Sequence, residues 1–309
     1  MPLRLLPLLL LLTLTTAAHA QQPTLRQQLQ AIIAGKKSHI GVSVRAVEDN
    51  DTLSINAAAH YPMQSVFKFH LALLVLHKVD EGTLQLDKPV HIKQQNLQKD
   101  TWSPLREAHT APEFDLSLKE ILRYTVSESD NNGCDLLFNM VGGPGAVNRY
   151  IHALGIKEVN IAANEAQMHA AWDVQYRNWT TPTAATQLLQ KCYMQPVLSA
   201  GSKELLLRYM RVSGKTNRLG SRLPQGAEVA HKAGTSGTNA QHLTAAFNDI
   251  GIITLPSGKH IAVAVFISNS LENEAVNYRI IADIGRAVWD YYTRQNQSAT
   301  GQVYPATRF

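Results

Sequence analysis

The chain has 309 residues, 45% of them hydrophobic, with 29 basic and 24 acidic side chains for a formal charge of +5. That length suffices for one large domain or two modest ones. The thin basic excess forms no Lys/Arg cluster interleaved with aromatics, which argues against a nucleic-acid groove and reads as solubility.

Residues 1–20, MPLRLLPLLLLLTLTTAAHA, combine one basic residue, a leucine run and the small-x-small ending Ala18-His19-Ala20. This is the pattern of a secretory signal peptide cut before Gln21. Its apolar core, Leu5–Leu12, is too short for a permanent anchor, and no later apolar run is long enough for a membrane helix. The expectation is an exported, periplasmic chain with no membrane anchor, at charge +4 once Arg4 is lost. Cys134 and Cys192 would then sit in an oxidising compartment, as a disulfide or as two buried thiols.

Leu25–Ile33 has helical periodicity, and the β-branched runs His39–Val47 and Thr52–Ile55 flank a turn at residues 48–51, a hairpin. Tyr61–Val79, YPMQSVFKFHLALLVLHKV, follows: Phe67, Leu71, Leu74, Val75 and Val79 recur at helical spacing with apolar residues between them. It reads as a central helix buried on most sides, stopped by Glu81-Gly82. Helices are expected at Leu116–Val126, Asn132–Val141, Gly145–Leu154, Thr183–Tyr193 and Glu204–Val212, with a long loop over Ile161–Trp179. Strand patterns return at Glu228–Ala233, Thr244–Leu255 and His260–Ser268, before a closing helix Asn273–Tyr292 and a loose tail over 296–309. This order predicts an α+β fold: a five-stranded antiparallel sheet from both chain ends with flanking helices. Residues 21–60 and 213–295 would form that α/β lobe, and 61–212 an inserted all-α lobe.

Ser65 stands at the start of the central helix, where free N–H groups and the positive dipole end favour a developing anion. Lys68 lies one turn on, on the same face, and an amine held neutral could take the serine proton. Taken alone, Ser65 is equally an N-cap and Lys68 a snorkelling surface lysine. Ser129-Asp130-Asn131 reads by itself as an Asx turn before the next helix, Glu165 as a charged loop residue, and Lys232 as a solvated strand lysine. Gly234, two residues on, would let a ligand's backbone approach closely.

Their combination decides the reading. S-x-x-K, S-D-N, a loop glutamate and K-x-G on a strand occur once each, in the order of class A β-lactamases and penicillin-binding proteins. The chain resembles a class A serine β-lactamase, and PMQSVFK, CDLLF, VGGPGA, NEAQMHA and AHKAGTSG resemble the PER-type extended-spectrum branch. The resemblance covers nearly all of the chain after the leader and implies a β-lactamase/transpeptidase-like fold. It implies Ser65 as nucleophile, Lys68 or Glu165 as the base for acylation, Ser129 as proton donor to the leaving nitrogen, and Glu165 as the base that activates the deacylating water. It also implies an oxyanion hole from the N–H groups of Ser65 and Thr235, with Asn131, Lys232, Thr235, Arg218 and Trp102 on the substrate. The implied partners are β-lactam antibiotics, penicillins and cephalosporins, acting on a monomer.

Four positions depart from the family pattern. Ala233 replaces a hydroxyl residue, Ala163 the arginine two before the loop glutamate, Asn178 its acidic partner, and His169 an asparagine. The long loop therefore lacks its customary ion pair. Asp135 stands where the family carries asparagine, so a hydrogen bond between Asp135 and Asn178 is expected to pin the loop. The stretch Ser236–His242 is rich in turn formers and does not read as a tight hairpin. Both changes predict a cleft wide enough for oxyimino-cephalosporins.

Other motifs fail. Gly214-Lys215-Thr216 ends like a P-loop, but Tyr209 stands where the first glycine belongs, and the twelve histidines include no H-E-x-x-H, so no metal or cofactor is implied. A D-Ala-D-Ala peptidase and a β-lactam sensor domain share the serine and lysine motifs; Glu165 and the lack of a tether argue against both.

Overall fold

The computed structural model describes residues 23–49, 51–212 and 218–300, with side chains as far as Gln295. The expected leader, the Gly214-Lys215-Thr216 stretch and residues 301–309 of the expected tail lie outside them. The first half runs α1 (Leu25–Ile33), β1 (His39–Ala46), β2 (Thr52–Ile55), β3 (Tyr61–Pro62), α2 (Phe67–Asp80), β4 (Pro89–Lys93), α3 (Pro104–Ala108), β5 (Glu113–Ser117), α4 (Leu118–Ser127) and α5 (Asn131–Val141). It continues with α6 (Pro144–Ala153), β6 (Val159–Asn160), α7 (Glu165–Ala170), β7 (Trp179–Thr180), α8 (Pro182–Met194), α9 (Ala200–Arg211), β8 (Glu228–Thr235), β9 (Thr244–Thr254), β10 (His260–Ser270) and α10 (Glu274–Thr300).

The expected five-stranded sheet from both chain ends is present, in the order β2-β1-β10-β9-β8 with every neighbour antiparallel. Along β10 the period of two divides side chains between two cores. Val263, Val265 and Ile267 join Leu25 and Leu29 of α1 and Ile281, Ile284 and Val288 of α10. Ala262, Ala264 and Phe266 face the other way, into the core around α2 and α8. Both faces are covered, which is why β9 and β10 read as continuous apolar runs.

Helix α2 lies at the centre of that second core, and every residue from Phe67 to Leu76 is buried, Lys68 included. The helix begins at Phe67, later than its apolar pattern suggested. Tyr61 and Pro62 pair instead with Thr180 and Trp179, and Gln64–Val66 forms a 3-10 turn that delivers Ser65. The stretch expected as loop over Ile161–Trp179 contains α7 and a 3-10 segment, Trp172–Arg177. Six-residue elements are too short to register as a period. The hairpin of β4 and β5 was not anticipated, and α10 continues past Tyr292 as far as Thr300. Cys134 and Cys192 are both buried free thiols, the second of the two alternatives left open by the sequence.

Helix α10 crosses the sheet so closely that a Cβ on Gly285 would lie 2.2 Å from the Leu219 carbonyl oxygen. Gly201 in α9 has nothing within 4 Å of the same construction. Gly285→Ala should therefore cost about 1–3 kcal/mol through backbone displacement. Gly201→Ala should gain roughly 0.5–1 kcal/mol from helix propensity. Urea unfolding of the two variants tests this; equal signs would contradict the packing.

Candidate active site

The nucleophile turn is held from two sides. Asn248 of β9 donates its amide to the Pro62 and Met63 carbonyls at 2.8 and 3.2 Å, while the Met63 N–H donates to Asn178 O at 2.8 Å. A Cβ on Gly234 would sit 2.4 Å from Met63 O and 3.1 Å from Val66 N, so β8 reaches Ser65 only because this residue is glycine. In β8 the Ser236 N–H donates to Ala246 O of β9. Alternate backbone groups of a strand point oppositely, so the Thr235 N–H faces off the sheet edge toward the Ser65 turn.

Lys68 is 0% exposed, and four oxygens surround its Nζ. They are Ser65 Oγ at 3.0 Å, Ser129 O at 2.7 Å, Asn131 Oδ1 at 2.5 Å and Glu165 Oε1 at 2.8 Å. Three separate elements thus converge on one lysine: the 3-10 turn, the start of α5 and the tip of α7. Asp130 caps α5 by accepting from Gly133 N, Leu105 N and the Ser103 hydroxyl. This fixes its two neighbours, and Ser129 is driven to a φ of 59°. That left-handed backbone turns its carbonyl to Lys68 and its hydroxyl to Lys232 Nζ, 2.9 Å away.

Lys232 Nζ also donates to Ala233 O at 3.0 Å. Burial and the neighbouring Lys68 charge push the Lys232 ammonium down to about 7. Arg218 is buried, its guanidinium 3.5 Å over the Phe247 ring. It donates to Asn248 O at 2.8 Å and to Thr235 Oγ1 at 2.5 Å, so it reaches the cleft through Thr235. Burial lowers it to about 10, against the opposing pull of Asp249.

The segment carrying Glu165 is pinned at two points. Asn178, 0% exposed, accepts from Ala162 N and Ala163 N and donates to Ala163 O. Asp135 accepts from Glu165 N at 2.8 Å and Ala166 N at 3.0 Å, capping α7. The expected Asp135–Asn178 bond is absent among the described residues. Each side chain is saturated by loop backbone groups in its own reach, and the two pin the loop separately. Burial raises the Asp135 carboxyl to about 6, outweighing those two N–H donors, and the nearby Glu165 charge adds to the rise.

A cleft of about 330 Å³ opens over these groups, bordered by Asn131, Glu165, His169, Trp172, Thr235 and Gly237. Trp102 stands at its rim, 60% exposed, its indole N–H on Glu128 O. The stretch after Thr235 closes as a hairpin, contrary to expectation. Thr238 bridges Thr244, and the Asn239 side chain accepts from Gln241 N and Leu243 N. Beside the cleft, however, the Ala246 N–H bonds the Ser236 hydroxyl in place of a strand carbonyl, so the ladder is interrupted there. Two contributors escaped the sequence reading. Gln64 adopts a φ of 47° and bonds Gln175 at 2.5 Å, and Thr101 accepts from the Asn131 amide at 2.7 Å. Only the position of Gln64 next to Ser65 offered a signal.

A hydroxyl beside a buried lysine, a second lysine on a second serine, and a carboxylate facing the same cleft define an active-serine hydrolase. A sequence profile described as the β-lactamase enzyme family matches residues 24–292. The extended-spectrum β-lactamase PER-1 of Pseudomonas aeruginosa is 45% identical over 273 residues, 88% of each chain. The solved extended-spectrum β-lactamase TLA-3 superposes with a TM-score of 0.85 at 48% identity, covering 87% of this chain and 98% of its own. A class A β-lactamase from Bacteroides cellulosilyticus does so at 0.84 and 38%, covering 87% and 97%. The chain belongs to the β-lactamase enzyme family.

The depressed Lys232 has a consequence for stability. Between pH 7 and the ordinary lysine range the unfolded chain binds more protons at this residue than the folded one, so stability rises with pH there. The gain from pH 7 to 9 should be about 2 kcal/mol. Urea unfolding at both pH values should show it in the wild type and lose it in Lys232→Met; an equal gain in both would contradict the assignment.

Proposed function

We propose that the chain hydrolyses β-lactam antibiotics through an acyl-enzyme on Ser65. The observation that carries the reading is Lys68 Nζ lying 3.0 Å from Ser65 Oγ and 2.8 Å from Glu165 Oε1. An ammonium has three N–H groups, but four oxygens face this one. Passing one proton to Glu165 leaves two N–H donors for Ser129 O and Asn131 Oδ1 and a lone pair for the Ser65 hydroxyl. Lys68 then takes the Ser65 proton as Oγ adds to the β-lactam carbonyl. The oxyanion gathers the N–H groups of Ser65 and Thr235, which stabilise charge present only in the tetrahedral state. As the C–N bond breaks, the nitrogen takes the Ser129 proton, and Lys232 replaces it across 2.9 Å. Water then adds to the ester carbonyl, giving its proton to Glu165, and Ser65 Oγ leaves with the proton held by Lys68.

The substrate carboxylate is held by Lys232 and by Thr235, which Arg218 braces. Asn131 takes the side-chain amide, and Trp102 covers the rim. The missing ion pair at Ala163 and Asn178 and the interrupted ladder at Ser236 support acceptance of bulky oxyimino side chains. PER-1 and TLA-3 are named as extended-spectrum enzymes. The leader pattern of residues 1–20 supports export to the periplasm as a monomer, and no helix among the described residues is long and apolar enough to cross a membrane. The division into an α/β lobe (21–60 and 213–295) and an all-α lobe (61–212) belongs to the same reading.

Two experiments test it. Glu165→Ala mixed with a cephalosporin should accumulate a covalent adduct on Ser65 by mass spectrometry, and Ser65→Ala should show none. Full turnover by Glu165→Ala would falsify the role of Glu165, and a wild type that stays acylated would indicate a sensor or peptidase. The second compares kcat/KM for a small-side-chain and an oxyimino cephalosporin. The two should lie within about a hundredfold, whereas a thousandfold deficit for the oxyimino compound, roughly 4 kcal/mol of residual clash, would refute the wide cleft.

A further inference from the structure

A second cavity, of about 450 Å³, adjoins the reaction cleft, and Thr235 and Ser236 line both. Its far wall is the connection from β10 into α10, with Leu271, Glu272 and Glu274; His242 of the hairpin tip stands opposite. Two independent features mark this wall. Leu271 is 55% exposed, one of few large apolar side chains left open to water among the described residues. The two carboxylates bring charge of one sign to a place that flanks a carboxylate site. Glu272 already accepts from Lys37 N, which leaves Glu274 as the more available of the two. Glu274 lies near enough to Arg218 to act on its charge, but Arg218 also faces Asp249, so the guanidinium does not neutralise both acids.

Taking the β-lactam reading as given, the geometry of the substrate follows. Its carboxylate lies at Thr235, and its acyl side chain extends toward Asn131 and α7. In a cephalosporin the C3 substituent is adjacent to the ring carbon bearing the carboxylate, on the side away from the acyl amide. It therefore projects over Thr235 into the second cavity. We propose that this cavity is the binding site for the C3 substituent, and that Glu274 and Leu271 select substituents that are organic cations, such as a pyridinium. An acid next to the carboxylate site weakens the hold on a purely anionic substrate, and a cation in the substrate cancels that repulsion. Leu271 offers the apolar surface that a poorly hydrated organic cation seeks and a small inorganic one does not.

The test uses three cephalosporins with one acyl side chain and a pyridiniomethyl, an acetoxymethyl or an anionic C3 group. Intrinsic reactivity differs among them, so the quantity read is the change in their kcat/KM ratios between wild type and variant. Glu274→Gln should lower the ratio of cationic to neutral substrate about three- to fivefold, chiefly through KM, the range of a partly exposed charge pair. Glu274→Lys should lower it further and raise the ratio of anionic to neutral substrate. Added salt should shrink the wild-type preference. If the ratios are the same in all three proteins while each hydrolyses the substrates, the cavity assignment is overturned and the hydrolase reading stands. If the wild type turns over none of the three compounds, both readings fall together.

Discussion

The arrangement of this molecule depends on one buried charge. Lys68 projects from a helix whose residues are buried on every side from Phe67 to Leu76, and α2 itself offers it no counter-charge. An ammonium removed from water is costly unless its donors are met and its charge is balanced. Other segments must therefore come to it: the Ser65 turn, the Ser129–Asn131 loop and the tip of α7. The strained backbone of Ser129 is a consequence of the same demand, since one residue supplies Lys68 with a carbonyl and Lys232 with a hydroxyl partner. Such strain persists because Asp130, fully buried, is bonded to three separate groups and leaves the loop no alternative.

The second constraint is electrostatic and sits on the sheet edge. Lys68, Lys232 and Arg218 crowd one region, and burial weakens the hold of the last two on their protons. Against them stand Glu165 and the buried Asp249, whose oxygens are taken by His231 and by the N–H groups of Arg218 and Leu219. The cleft is left with surplus positive charge in a setting of low polarity, where an anionic substrate is drawn in and a developing oxyanion is stabilised. The acids at Glu272 and Glu274 lie just beyond this region, so the potential changes sign across the width of one strand end.

Most of the frame was legible because its elements are long. The sheet strands, α1, α2 and the helices from α4 to α10 carry apolar periods or continuous runs, apart from α7, and the four motifs fell on the element types their chemistry requires. What escaped was short or non-local. Strands β3 and β7 have two residues each, and α7 has six; none is long enough to establish a period. The Gln64–Gln175 bond joins residues 111 apart, and composition at either end announces nothing. Asp135 and Asn178 were rightly singled out as altered positions but wrongly joined, because residue type alone does not say which N–H groups lie closest.

The actual solution at those two positions follows from what each side chain can accept and donate. A carboxylate accepts only, whereas an amide does both. Around position 178 the loop presents two N–H groups and one carbonyl, all satisfied by the single amide of Asn178. With alanine at 163 there is no guanidinium to balance a carboxylate at 178, and an acid there would be buried, uncompensated and set against the Ala163 carbonyl. Around position 135 the loop presents the N–H groups of Glu165 and Ala166, the positive end of α7, with the Gln98 amide as a third donor. All three are donors, so the acceptor-only residue belongs there. The charge has moved from the base of the loop to its tip, beside the glutamate it positions. Directed bonds then fix the backbone on either side of Glu165, and the chain from Met168 to Trp172 is free to border a broader cleft without loosening the carboxylate itself.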